Sequence, residues 1–190
     1  MPLSFSSQAR LLTLLGGLGI LAVACGSNKT ASTAADVLVG NDFESLAGWL
    51  GVTPNPSLTD EKAHSGHYSI KVDGTIEYSL GFASTLGALH DTRVKRIKVT
   101  AWVFVPDAQA VALLVTHVGD APNVKPLLWD GFDVTKAVAG SYGKWVEVSK
   151  VMELPGAVTA ATNIGFYLWH TGGSQPVYLD DLTVTAEPEK

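Results

Sequence analysis

The sequence predicts an all-β domain, a two-sheet antiparallel β-sandwich of the jelly-roll kind, and three observations predict it. Apolar or β-branched runs of four to nine residues recur along the chain, each bounded by Gly, Pro, Asp or Asn, residues that turn a backbone rather than extend it. No segment sustains an apolar stripe at helical spacing over three turns. Nineteen glycines and nine prolines are spread without a period through 190 residues, which suits a loop-rich β protein better than a helical bundle. The length, with 46% hydrophobic and 16% charged residues, is enough for one domain with a core and excludes a disordered or collagen-like chain.

Ahead of the first strand lies an export address. Arg10 is the one charged side chain before an apolar run at 11–24, and small residues then lead into Cys25, the single cysteine. That is the layout of a secretory signal over 1–24, and the run is shorter than the roughly 20 residues a permanent membrane-spanning helix needs. A lone cysteine forms no internal disulfide, and an exported free thiol is prone to oxidation, so acylation of Cys25 would account for its presence. The alternative is a plain secretory peptide with an Ala-Val-Ala cleavage site that a free cysteine happens to follow. Residues 25–35 are then small and polar, a flexible tether with a reach of about 15–20 Å, and the domain proper is expected at 36–190.

The ordered region opens at 37–39, and strands are expected at 68–72, 76–83, 97–105, 111–118, 145–151, 164–169 and 177–184. The stretch 84–93 offers Leu86 and Leu89 but also Gly87, and reads as a loop or a single helical turn. Without Arg10, twelve basic residues stand against eighteen acidic ones. Such a chain has no cationic field for a phosphate backbone or an anionic bilayer, so no nucleic-acid partner is expected. Arg93 and Arg96, beside Lys95 and Lys98, read as the solvated edge of a strand.

Several segments resemble known families. Leu21-Ala22-Val23-Ala24-Cys25 resembles the lipobox of bacterial lipoproteins, although Ala22 stands where leucine is usual. The resemblance implies a lipid-anchored protein of the cell envelope, attached at Cys25 to the outer membrane or another extracytoplasmic face. Asn41-Asp42-Phe43-Glu44 with Gly48-Trp49 is similar to the opening of galactose-binding-like jelly-roll carbohydrate-binding modules. The stretches 63–72, 99–106, Gly143-Lys144-Trp145 with Leu154-Pro155, and 177–184 follow that family's order across nearly all of 37–186. The likeness implies a jelly roll that binds a polysaccharide or other glycan, and family members often carry a structural calcium.

Strand alternation adds a reading of its own. Asp42 and Glu44 would share one face with Phe43 on the other, and Asp180 would share a face with Tyr178, Leu182 and Val184. A carboxylate among apolar neighbours must be hydrogen-bonded or bound to a cation. If the first and last strands meet, Glu44 and Asp180 can offer hard oxygens to calcium, with Asp42 a weaker addition; the alternative is that they accept backbone N–H bonds with no metal. In 164–169, Ile164, Phe166 and Leu168 form an apolar face, so Tyr167 and Trp169 point the other way with Gly165 beside them.

Two rings on an open sheet face can receive the apolar face of a sugar, with His117, His170 or Asp130 near enough to bond hydroxyls and Trp129 adding a ring from a loop. Trp49, Trp102 and Trp145 are assigned to packing, and His64 and His67 to solvent-facing positions rather than a metal site. The sequence has no phosphate-binding Gly-rich loop after a strand in the exported part, no Gly-x-Ser-x-Gly elbow and no His-Glu-x-x-His helix. The expectation is therefore a non-catalytic, lipid-anchored glycan-binding protein. The alternative is a scaffold that docks an envelope protein partner through the same fold, and the jelly roll also hosts enzymes.

Overall fold

Alternating burial decides the architecture. Along Arg96–Phe104 every second residue is buried, so Ile97, Val99, Ala101 and Val103 face one way and Lys98, Thr100, Trp102 and Phe104 the other. The computed structural model describes residues 37–46, 49–50, 55–119 and 125–188, all within one compact unit, Ser32–Lys190. Cys25, the expected signal at 1–24, the tether at 25–35 and the side chain of Trp49 lie outside the described residues.

The strands are β1 (Val37–Asn41), β2 (Trp49–Leu50), β3 (Leu58–Thr59), β4 (Ser69–Val72), β5 (Gly81–Thr85), β6 (Arg96–Phe104), β7 (Ala110–Val118), β8 (Leu128–Asp133), β9 (Trp145–Glu153), β10 (Asn163–Gly173) and β11 (Val177–Ala186). Two single helical turns, α1 (Leu86–Leu89) and α2 (Val134–Ala137), interrupt them. The first sheet runs β3-β4-β11-β6-β9, with β1 also on β11, and the second runs β2-β5-β10-β7-β8. Every pairing is antiparallel. The chain is thus the two-sheet antiparallel β-sandwich that its punctuated apolar runs predict. One hydrophobic cluster, with Ile70, Val99, Val103 and Leu179 from the first sheet and Leu114, Ile164, Phe166 and Leu168 from the second, fills the space between the sheets.

Three local departures from regular strand geometry decide which side chains reach the outer faces. β1 ends at Asn41, whose Oδ1 accepts the Phe43 N–H at 2.8 Å, and Phe43 enters the core at φ 59°. Asp42 and Glu44 therefore belong to a bend, not to the strand face the sequence suggests. On β11, β4 pairs with 177–179 and β1 with 182–185 along one edge, and the register against β6 shifts between Asp180 and Thr183. The bulge, with Asp181 at φ 48°, reverses the alternation. Asp180 shares the outer face with Tyr178, while Leu182 and Val184 turn into the core, which corrects the strict alternation expected there. Third, Leu128–Asp133, expected to be a turn-rich loop, is an edge strand that takes Trp129 onto the outer face of the second sheet.

Candidate functional site

The central strand of the second sheet, β10, supplies the middle of the site. Ile164, Phe166 and Leu168 are buried in the core, and Tyr167 and Trp169 stand on the outer face with Gly165, as the alternation predicts. Across β7 they meet Val115 and Leu113, and beyond β7 the edge strand β8 brings Gly131 opposite Val115 and Trp129 opposite His117. On the other side a single bridge pairs Tyr78 with Trp169.

These placements gather four rings. Tyr78 and Trp169 lie nearly parallel, 15° apart with centroids at 5.9 Å, while Tyr167 meets Tyr78 edge-on at 6.0 Å and Trp129 meets Trp169 edge-on at 6.1 Å. Tyr78 is 52% exposed and Trp129 45% exposed, yet Val115, an outward residue between them, has no exposed surface. Rings that cover an apolar floor and still present wide surfaces to solvent form a platform rather than a core. Gly131 makes room for it: a Cβ there would stand 2.8 Å from Trp129 Cη2 and 2.9 Å from Leu113 Cδ1, so only a residue without a side chain lets the indole lie back over the sheet.

The polar groups of this face are sparse. The Trp169 indole Nε1 donates to Glu77 Oε1 at 3.3 Å, and the neighbouring Glu77 carboxylate holds the Tyr78 phenol above its usual pKa. His117 flanks Trp129. Two groups expected to bond hydroxyls are elsewhere. Asp130 shares the inward side of β8 with Leu128 and Phe132, and both its oxygens accept from Lys150 Nζ at 2.7 Å, an ion pair that ties the edges of the two sheets. His170 follows the core-facing parity of Leu168, and its buried Nε2 meets no hydrogen-bond partner among the described residues.

Tyr78 and Glu77 are the members that sequence reasoning missed. Strict alternation through 76–83 puts Tyr78 on the side of Leu80, which is core. Instead the Ser79 hydroxyl enters the ladder, accepting the Leu168 N–H at 2.9 Å while the Ser79 N–H donates to Leu168 O, and this irregularity turns Tyr78 outward.

The outer face of the first sheet also carries rings, Trp102, Phe104, Trp145 and Tyr178, but its own chain covers them. His64 stacks on Trp102 at 3.8 Å and 11°, and Lys62 Nζ lies 4.6 Å from the Phe104 ring centre. His64 is exposed, as expected of it, while one face of its ring covers Trp102 and its Nδ1 lies 2.5 Å from Asp181 Oδ2. The packing role expected of Trp102 and Trp145 agrees with these contacts.

The carboxylates considered for calcium hold the same turn. Asp180, without exposed surface, accepts the N–H of His64 at 2.7 Å and of Ser65 at 3.2 Å on Oδ2, and that of Asp181 at 2.8 Å on Oδ1. Its pKa is raised by burial, which these N–H groups partly offset. Glu44 Oε1 accepts the N–H of His67 and of Tyr68, both at 2.7 Å, and these bonds hold its carboxyl below the ordinary value. Asp42 accepts the Glu44 N–H at 3.2 Å. Oxygens ringed by N–H donors sit in a positive local field, the reverse of what a cation requires, and no group of three or more His, Cys, Asp or Glu is gathered for a metal among the described residues. As arranged, the set does not fit a calcium shell.

No protein-family model matches the chain, and no curated protein matches it in sequence. Solved structures do share the fold. The family 22 xylan-binding domain from Paenibacillus barcinonensis Xyn10C is 19% identical, with a TM-score of 0.52 over 84% of this chain and 100% of that domain. The C-terminal family 22 carbohydrate-binding module of Clostridium thermocellum Xyn10B is 15% identical, with a TM-score of 0.56 over 82% of this chain and 98% of that module. At these identities the likeness establishes the β-sandwich of carbohydrate-binding modules as the fold.

Proposed function

We propose that this chain is a non-catalytic glycan-binding protein whose contact surface is the outer face of the second sheet. The observation that carries the reading is the ring platform: Tyr78, Tyr167, Trp169 and Trp129 grouped over the buried Val115 while two of the rings stay about half exposed. A pyranose ring has one face of C–H groups, and an indole or phenol lying flat beneath it removes that face from water without demanding directional bonds. Glu77 and His117 at the margins supply the few polar contacts that would orient hydroxyls. Support of a coarser kind comes from structural neighbours that are xylan-binding modules.

With a few stacked rings and few hydrogen bonds, the expected dissociation constant is about 10 µM to 1 mM. Acylation at Cys25 would place this surface in the cell envelope, within a tether's length of the membrane, and labelling with a radioactive fatty acid that is lost in Cys25→Ser tests that part. The platform is tested by affinity electrophoresis through gels containing neutral polysaccharides such as xylan, β-glucan and mannan. Retardation by at least one polymer, lost about tenfold or more in Trp169→Ala while the unfolding midpoint moves little, is the expected result. No retardation of the folded protein by any glycan would overturn it and favour the protein-docking alternative. Release of soluble sugar on incubation would overturn the non-catalytic part.

A further inference from the structure

We propose that Glu77 fixes the pose of Trp169 within the platform and makes the platform prefer neutral glycans over those bearing carboxylates. This rests on the glycan-binding reading and adds a specificity residue to it. Glu77 is exposed and receives the Trp169 indole N–H at 3.3 Å, and Tyr78 lies nearly parallel to that indole, so one carboxylate stands at the edge of the stacked pair. Its backbone is anchored as well, since Glu77 O accepts the His170 N–H at 2.8 Å. Tying the indole edge to an acceptor removes rotamer freedom that a ligand would otherwise have to quench on binding.

The indole bond also fixes where a negative charge sits. The other carboxylate on this face, Asp133, is held by Lys136 at 2.8 Å, and Asp130 is turned inward onto Lys150. Among the described residues no lysine or arginine forms an ion pair with Glu77, so its charge is left to act on whatever lies over the rings. The substituents of a stacked pyranose project past the edge of the aromatic ring beneath it. A uronic carboxylate there would lie within several ångströms of Glu77, and at about 6 Å in water the repulsion weakens binding about threefold, an effect that salt screens.

The test uses the full chain, with neutral xylan, β-glucan and mannan each compared with its lightly carboxymethylated form, at low and at high salt. Wild type is expected to bind the neutral polymer about threefold more tightly at low ionic strength, with the ratio falling towards one as salt rises. Glu77→Gln keeps an acceptor for the indole but removes the charge. It should hold neutral affinity within about twofold and bring the ratio close to one at all salt concentrations. Glu77→Ala should also lose the preference, and bind every polymer several-fold more weakly because Trp169 has lost its acceptor.

Glu147→Gln, on the exposed side of β9 in the other sheet, makes the same change in net charge far from the platform and should keep the wild-type ratio. If Glu77→Gln retains the preference, or Glu147→Gln abolishes it equally, the discrimination belongs to the net charge of −5 and the inference falls while the platform stands. If wild type binds neither member of any pair, the glycan-binding reading itself falls.

Discussion

Outside the first sheet Trp102, Phe104, Trp145 and Tyr178 lie beneath a turn of their own chain, with His64 stacked at 3.8 Å and Lys62 over Phe104, whereas outside the second sheet Tyr78 and Trp129 are about half exposed, with Tyr167 and Trp169 half-buried beside them. The ring chemistry is nearly the same on both. What differs is where the backbone donors of the neighbouring turn go. On the first sheet the N–H groups of His64, Ser65, His67 and Tyr68 are captured by Asp180 and Glu44, which pins the turn down. On the second sheet the carboxylate beside the rings, Glu77, takes its donor from the Trp169 indole itself rather than from the backbone of a turn. A row of aromatic residues on an outward strand face therefore does not identify a binding surface. The acceptors around it decide whether the protein's own chain occupies the place a ligand would take.

The comparison breaks most sharply at Asp180. Replacing it by Ala leaves three N–H donors without their acceptor at a site with no solvent exposure, and the expected loss is about 2–4 kcal/mol of stability, read from urea unfolding. Glycan affinity per folded molecule should not change. A large fall in affinity with stability preserved would mean that the turn-covered face, and not the open one, is the functional surface.

Gly131→Ala sharpens the other side. The new methyl would press on Trp129 Cη2 and Leu113 Cδ1, and the far end of an exposed indole is the part free to move. Stability should change by less than about 1 kcal/mol while affinity falls several-fold, because the ring leaves its place beside Trp169. Unaltered affinity, with Trp129 shown by fluorescence to have moved, would remove that ring from the platform.

Most of the sandwich was legible in the residues because alternation and turn punctuation are local signals: the strands at 97–105, 111–118, 145–151, 164–169 and 177–184 lie within a few residues of their observed bounds. Tyr167 and Trp169 were legible for the same reason, since Phe166 and Leu168 declare which side of β10 is core. What could not be read is where a single residue breaks the period. The bulge at Asp180 and Asp181 reverses the faces of β11, and the Ser79 hydroxyl, standing in for a backbone group against Leu168, sends Tyr78 outward. Both depend on partners about 90 to 120 positions away in sequence, so no window along the chain contains the cause. The stacking of the exposed His64 was hidden likewise, because its partner, Trp102, belongs to another segment of the chain.

The smallest expected effect tests how the covered face is held. Glu44 is kept below its ordinary pKa of 4.5 by the His67 and Tyr68 N–H groups, so its contribution is present above that value and is lost as the pH falls through the lower, folded-state pKa. Glu61, lowered by Lys71 and by the Tyr178 hydroxyl, behaves in the same sense. Asp180 runs the other way. Its raised value means that its contribution is present below the unfolded pKa and is lost as the pH rises through the folded one. A Glu44→Gln variant should therefore unfold at a lower midpoint than wild type near pH 7, and the gap should close as the pH is lowered towards 3. The same titration with a chelator separates the two ways of satisfying these carboxylates. If backbone N–H groups are the partners, removing calcium leaves both midpoints where they were. If a cation is the partner, chelation lowers the wild-type midpoint by several degrees and leaves Glu44→Gln nearly unmoved, since mass action stabilises only the form that binds.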